Sequence, residues 1–175
     1  QGLDNFVPVK EVAFLKKYKM DGPRFNDYAV GGYLMWDLYP DYKVFIDPRG
    51  GMTYKSQVLS DYLEFISKHL TIDDIRRFTE KYPFKIVMLS YQEMPLIFNF
   101  LKAGDNEWHL IYFEKNAVIL IHKSLSPRIR EELNNINLSP YRFSGVKSPE
   151  TLLSVFDLYV HLNPQAGKVI YDIFK

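Results

Sequence analysis

Residues 24–47 read RFNDYAVGGYLMWDLYPDYKVFID, and this stretch decides the fold. Arg24-Phe25-Asn26 reads as a very short strand. Asp27 has the side chain to cap a helix that follows at once. Tyr28, Val30, Gly31, Gly32, Tyr33, Leu34 and Trp36 fill the turns of that helix, and burial is expected for Tyr33 and Trp36. The helix must finish by Tyr39, because a residue before proline is pushed out of the helical region. Lys43-Val44-Phe45-Ile46-Asp47 then reads as a strand. Its apolar residues run without alternation, as in a strand covered on both faces.

The flanking sequence extends this β-α-β unit. Upstream, Pro8 suits the first turn of a helix over about 8–19. Val9, Val12, Ala13 and Lys16 share one side of it, with Leu15 close by, and Asp21-Gly22-Pro23 ends it. Downstream, Pro48-Arg49-Gly50-Gly51 is a loop. Val58, Leu59, Tyr62, Ile66 and Leu70 recur at helical spacing within 53–70. Thr71 caps a short helix carrying Ile72, Ile75 and Phe78, with Asp73 and Asp74 in its first turn. Residues 84–89 are a second buried-type strand, and a helix over 92–102 tolerates Pro95 in its first turn. Gly104-Asp105-Asn106 is turn chemistry. Residues 108–113 and 117–122, joined by Glu114-Lys115-Asn116, form a β-hairpin. Beyond Lys123 the expected elements are a helical segment opening at Ser126-Pro127, an irregular stretch over 134–148, and helices over 148–162 and 165–174.

This alternation predicts an α/β fold: a three-layer domain with a mainly parallel sheet, an antiparallel edge hairpin and a C-terminal helical extension. The expected division is an α/β domain over residues 1–123 and a helical hairpin extension over 124–175.

Composition narrows the function. The chain has 175 residues, enough to bury a core without metal or disulfide. Apolar residues are 47% and charged residues 25%, which excludes disorder for most of the length. Lys plus Arg is 22 against 21 Asp plus Glu, so no basic excess argues for nucleic acid. Cysteine is absent, which removes disulfides, thiolate zinc sites and a cysteine nucleophile. The longest apolar runs, 86–89 and 117–121, are far below the roughly 20 residues a membrane span needs. No signal peptide is expected. The chain opens on Gln1 rather than Met, which suggests an excised piece of a longer protein.

Parallel α/β domains place functional loops at the carboxyl ends of their strands. Those loops hold Asn26 and Asp27, Asp47 and Arg49, and Ser90 and Gln92. Asp47 ends its strand as an acid would in a nucleotide- or sugar-binding domain, and Arg49 is placed to grip a phosphate or carboxylate. The plainer reading is an Asp47–Arg49 pair that caps the loop. The Asn26–Gly32 stretch is neither G-x-G-x-x-G nor a P-loop. Gly31 and Gly32 either admit an anion to the helix start or let the helix sit tightly on the sheet, and the missing fingerprint favours tight packing. His109 and His122 lie on the two arms of the hairpin and are placed to face each other. Cross-strand pairing explains them better than a metal site. No metal and no cofactor is expected. The aromatics Tyr28, Tyr33, Trp36, Tyr39, Tyr42, Phe45 and Tyr54 crowd one quarter of the chain. They read mainly as core and its rim, with ring stacking on sugars as the binding alternative.

Residues 25–40, F-N-x-Y-x-x-G-G-Y-L-x-W-x-L-Y-P, followed by K-V-F-I-D-x-R over 43–49, carry a family likeness. The segment resembles one found after the last membrane helix of bacterial polytopic membrane proteins. Those proteins are similar to lipid-linked-sugar glycosyltransferases of the mannosyltransferase-like (GT-C, family 39-like) superfamily. The likeness extends over about residues 8–122. It implies a domain on the extracytoplasmic, periplasmic face of the membrane, as part of a larger membrane protein. In that architecture the catalytic acid lies between membrane helices, outside this chain, so no catalytic residue is carried over.

The leading expectation is therefore a non-catalytic accessory or binding domain. Its expected partners are a glycan, a lipid-linked sugar or an envelope protein, and no nucleic acid. The ligand-binding candidates are Asn26, Asp27, Tyr28, Gly31, Gly32, Asp47, Arg49 and Tyr54. Two alternatives stand beside it: a free-standing α/β small-molecule-binding or transferase enzyme using Asp47 and Arg49, and a protein-interaction module using the C-terminal helices.

Overall fold

The computed structural model describes residues 7–50, 56–67, 70–102, 107–125 and 149–162. Helix α1 (Val9–Lys17) precedes strand β1 (Arg24–Asn26) and helix α2 (Tyr28–Leu38). Helices α3 (Ser56–Ser67) and α4 (Ile72–Lys81) follow, then strand β2 (Ile86–Ser90). A 3-10 turn over Tyr91–Glu93 runs directly into α5 (Met94–Lys102). The hairpin β3 (Trp108–Phe113) and β4 (Ala117–His122) comes next, and α6 (Pro149–Leu162) is the last described element. The segments read from sequence at 104–106, 126–148 and 165–174, and Tyr54, lie outside the described residues.

The local signals explain the element ends. Asp27 caps α2 by accepting from the Val30 amide at 3.0 Å. Thr71 and Asp74 form a reciprocal capping box at the start of α4, which satisfies two otherwise orphaned donors. α2 ends at Leu38, with Tyr39 already extended ahead of Pro40. In α1 the buried face is Glu11, Val12, Phe14 and Leu15, while Ala13 and Lys16 point outward. The side inferred from Val9, Ala13 and Lys16 is therefore rotated from the true one, because a buried glutamate stood in the apolar stripe.

The sheet has four strands in the order β1-β2-β4-β3. Only β1–β2 is parallel, whereas β2–β4 and β3–β4 are antiparallel, so the sheet is mixed rather than mainly parallel. The edge hairpin forms as expected, with a bulge between Leu110 and Tyr112. The loss of parallel character traces to residues 43–47, which join no ladder. β1 is instead an edge strand, and the backbone of 45–46 is held by the side chain of Asn26.

Alternate residues of β2 and β4 feed two cores, which is why both strands read as unbroken apolar runs. Ile86, Met88, Ile119 and Ile121 join Val12, Leu15, Val30, Leu34 and Leu38 from α1 and α2. Val87, Leu89, Val118 and Leu120 join residues of α3, α4 and α5, together with Val155 and Leu158 of α6. Phe25 is the hub of this second core, with ring contacts to Phe45, Tyr62, Phe65, Phe78, Phe84 and Phe100. Much of the aromatic excess is spent on this cluster. Trp36 departs from expectation: it is 71% exposed, because the buried stripe of α2 is Val30, Gly31, Leu34 and Leu38 and Trp36 lies opposite.

Candidate functional site

β1 and β2 end side by side, and the candidate residues gather at that end. Asn26 closes β1. Its Oδ1 accepts from the Phe45 amide at 2.8 Å, and its Nδ2 donates to the Ile46 carbonyl at 2.7 Å and to the Asp27 carbonyl at 2.8 Å. One side-chain amide thus does for the 43–47 segment what a neighbouring strand would have done. Asn26 is fully buried, so these bonds also satisfy its own polar atoms.

Asp27 joins the two strand ends. Its Oδ1 accepts from Val30, while its Oδ2 accepts from the Ser90 amide at 2.6 Å and the Ser90 hydroxyl at 2.7 Å. The Ala29 amide is a further donor to it. Four donors fill about the full acceptor capacity of one carboxylate. Burial pushes the Asp27 carboxyl up and outweighs these hydrogen bonds, which pull the other way. Glu93, half-buried in the turn after β2, is raised first by burial and then by the charge of Asp27. The Tyr28 amide donates to the Tyr62 hydroxyl at 3.1 Å, and the two rings lie 5.5 Å apart. Burial raises the Tyr62 hydroxyl as well.

Gly31 faces the same bracket. A Cβ there would overlap the Ile46 carbonyl oxygen and approach Asn26 Nδ2 to 2.9 Å and Asp47 Cα to 3.0 Å. A Cβ on Gly32 would meet only the Pro48 ring, at 3.4 Å. The contacts at Gly31 are packing contacts between α2 and the 45–47 backbone. Gly50 holds φ +48° with its amide bonded to the Asp47 carbonyl, and a Cβ there would meet the Tyr28 hydroxyl at 2.7 Å.

Asp47 is fully buried and grips Arg49 from below. Arg49 donates from Nε to Oδ1 at 2.9 Å and from Nη2 to Oδ2 at 2.8 Å, and its amide also donates to Oδ1. The guanidinium side chain is 53% exposed. The pair that sequence placed together is thus bidentate, with the arginine on the rim and its acid inside.

The structure therefore assembles Asn26, Asp27, Tyr28, Gly31, Asp47 and Arg49 into one bracket, with Gly32 at its border. Sequence reasoning missed two contributors, Tyr62 and Glu93, which arrive from other elements and carry no local signal. It also missed Glu11, outside the bracket, which is buried in α1 and accepts from the Asn116 and Ala117 amides at the hairpin tip, at 3.2 and 2.9 Å. Burial pushes its carboxyl from 4.5 up to about 7. A charged residue inside an apolar stripe was its one visible sign. His122 stands opposite Trp108, not His109, with ring centroids 5.1 Å apart. Among the described residues no group of three or more His, Asp or Glu side chains is placed to hold a metal ion.

Among the described residues, clefts lie away from this bracket. One of about 240 Å³ opens between α3 and α4 beside Asp61, Asp74 and Lys81. There Asp61 accepts from Lys81 at 2.6 Å, from Tyr82 and from Gln57 at 2.8 Å, which hold its carboxyl down at about 2. Another, of about 400 Å³, is lined by residues 21–23 and 41–43. Among the described residues no helix is long and apolar enough to cross a membrane. The chain matches no protein-family model, no curated protein and no solved structure.

Proposed function

We propose that this chain is a non-catalytic binding domain, the extracytoplasmic accessory part of a bacterial membrane protein of the glycosyltransferase-like kind its 25–49 segment resembles. Arg49 carries the reading. A buried carboxylate locks two of its nitrogens, which fixes the plane of an exposed guanidinium on the rim of the sheet. Such a fixed, charged fork suits a phosphate or carboxylate on a lipid-linked sugar or glycan. The acids behind it, Asp27 and Asp47, are committed to backbone amides, Ser90 and Arg49, which argues against proton transfer through them. We read the whole as three layers, with α1 and α2 on one face of the sheet, α3 to α6 on the other, and the exposed Arg49 side chain at the strand-end rim.

Calorimetric titration with a short-chain isoprenyl-diphosphate sugar tests this, with free oligosaccharide as the comparison. The phosphate-bearing ligand binds and is recovered intact. Arg49→Ala weakens binding roughly tenfold or more, the loss of a charged hydrogen bond, while the urea midpoint shows the domain still folded. Sugar release by this chain alone would overturn the proposal. So would unchanged affinity in a folded Arg49→Ala protein.

A further inference from the structure

The face of α2 turned away from the sheet carries one charge, Asp37, at its border with α1. Ala29, Gly32, Tyr33 and Trp36 follow one another at helical spacing, and Tyr39 comes directly after the helix end. Trp36 is 71% and Tyr39 76% exposed, the two most exposed large apolar side chains described. Tyr33 leans on Trp36 with ring centroids 5.6 Å apart. Rings of this size left in water on one face mark an interaction surface.

Its neighbour supplies the second half of the argument. The outer face of α1 presents Lys10, Lys16 and Lys17, and Lys19 follows in the turn. Lys16 reaches Asp37 of α2 at 3.0 Å, so the lysine face and the ring face are one continuous surface. Asp37 is the one charged residue in α2, and it is spent on this pair. The acid of α1, Glu11, is turned inside. Glu114 at the hairpin tip lies 3.8 Å from Lys10, and the next acids, Asp21 and Asp41, lie beyond the helix ends, where Asp21 accepts from Tyr42. Amphipathic rings beside Lys17 and Lys19, the two lysines of this face outside those ion pairs, match the two layers of an anionic bilayer surface: Trp and Tyr settle at headgroup depth while lysines meet the phosphates.

We infer that α1 and α2 form a docking face for an anionic phospholipid surface, with Trp36 and Tyr39 entering the headgroup layer and Lys17 and Lys19 resting on the lipid phosphates. The inference stands apart from the ligand proposed for Arg49. A failed sugar titration leaves it intact, and the vesicle result leaves the sugar reading intact.

The chain contains two tryptophans, and Trp108 is buried among Phe84 and Phe100, so a change in emission on binding reports Trp36. The experiment is co-sedimentation and tryptophan emission with phosphatidylcholine vesicles, with and without about 30 mol% phosphatidylglycerol. Binding and a blue shift are expected with the anionic vesicles, both weakening as salt screens the lysines. Trp36→Ser lowers partitioning about tenfold. The double variant Lys17→Gln, Lys19→Asn lowers it by about fivefold for each lysine removed. Asn is chosen at 19 because that residue holds φ 45°, which Asn tolerates. Both variants sit on the surface, and their urea midpoints should match the parent. No partitioning to anionic vesicles overturns the inference, as does equal partitioning of folded Trp36→Ser. A blue shift that tracks protein concentration without vesicles also overturns it, and assigns the face to a second copy of the chain.

Discussion

Replacing Gly31 by alanine drives a methyl group into the backbone of 45–47, and the cost can be worked from the contacts. The new Cβ overlaps the Ile46 carbonyl and lies 2.9 Å from Asn26 Nδ2 and 3.0 Å from Asp47 Cα. Two of these neighbours are main chain, so no rotamer change relieves the clash. α2 must retreat from the 45–47 segment, at an overpacking cost of about 1–3 kcal/mol. The retreat also stretches the Asn26 bonds to Phe45 and Ile46, at 2.8 and 2.7 Å. Each buried polar group left unpaired adds about 1–3 kcal/mol. Against this, alanine improves helix propensity by only about 1 kcal/mol. The expected net loss is about 3–5 kcal/mol, a large share of the total stability of a domain. Gly32→Ala is the control, since its Cβ meets only the Pro48 ring at 3.4 Å. There the propensity gain is nearly unopposed, and the change should be neutral or stabilising by up to about 1 kcal/mol. Urea titration followed by far-UV circular dichroism measures both. With a slope of about 1–3 kcal/mol per molar, Gly31→Ala moves the midpoint down by more than about 1 M. If Gly31→Ala unfolds within about 1 kcal/mol of the parent, or if Gly32→Ala is the more damaging, the packing account of this glycine pair is wrong.

Glu11 makes stability depend on pH in an unusual direction. Its carboxyl titrates near 7 when folded against about 4.5 unfolded, so the folded state holds the proton more tightly. That contribution is greatest below pH 4.5 and is lost as pH rises to 7, by about 3 kcal/mol. Glu11→Gln keeps an acceptor for the Asn116 and Ala117 amides and removes the titration. Its stability relative to the parent should therefore rise between pH 5 and pH 8, as read from urea midpoints. A parent equally stable or more stable than the variant at pH 8 would contradict this. Asp61 and Asp74, both held near 2, act only below about pH 4, where their loss opposes the trend. Asn26→Leu should cost about 2–4 kcal/mol by stranding the Phe45 amide and the Ile46 carbonyl. Hydrogen exchange should then speed up at the Phe45 amide well before it does at Val87 in β2, and simultaneous exchange at the two would count against the role given to Asn26.

The sequence alone determined whatever is written in nearest neighbours. The capping box at Thr71, the Asp27 cap, the stop before Pro40 and the hairpin at 108–122 all follow from contacts within a few residues. So does the pairing of Asp47 with Arg49, which are two positions apart. The apolar runs of β2 and β4 showed that both faces of the sheet are covered. Tertiary structure alone decided what depends on a partner far along the chain. Residues 43–47 have the composition of a strand, but β1 is too short to pair with them and one Asn26 side chain takes over the work. Trp36 has the hydrophobicity of a core residue, but the glycine next to the 45–47 backbone fixes the rotation of α2 and turns the ring to water. Glu93 looks like an ordinary surface acid, and Glu11 shows only as a charge within an apolar stripe, until packing removes their solvent. Local patterns encode backbone conformation and polarity, whereas exposure and charge state are set by which surface the fold brings against each side chain.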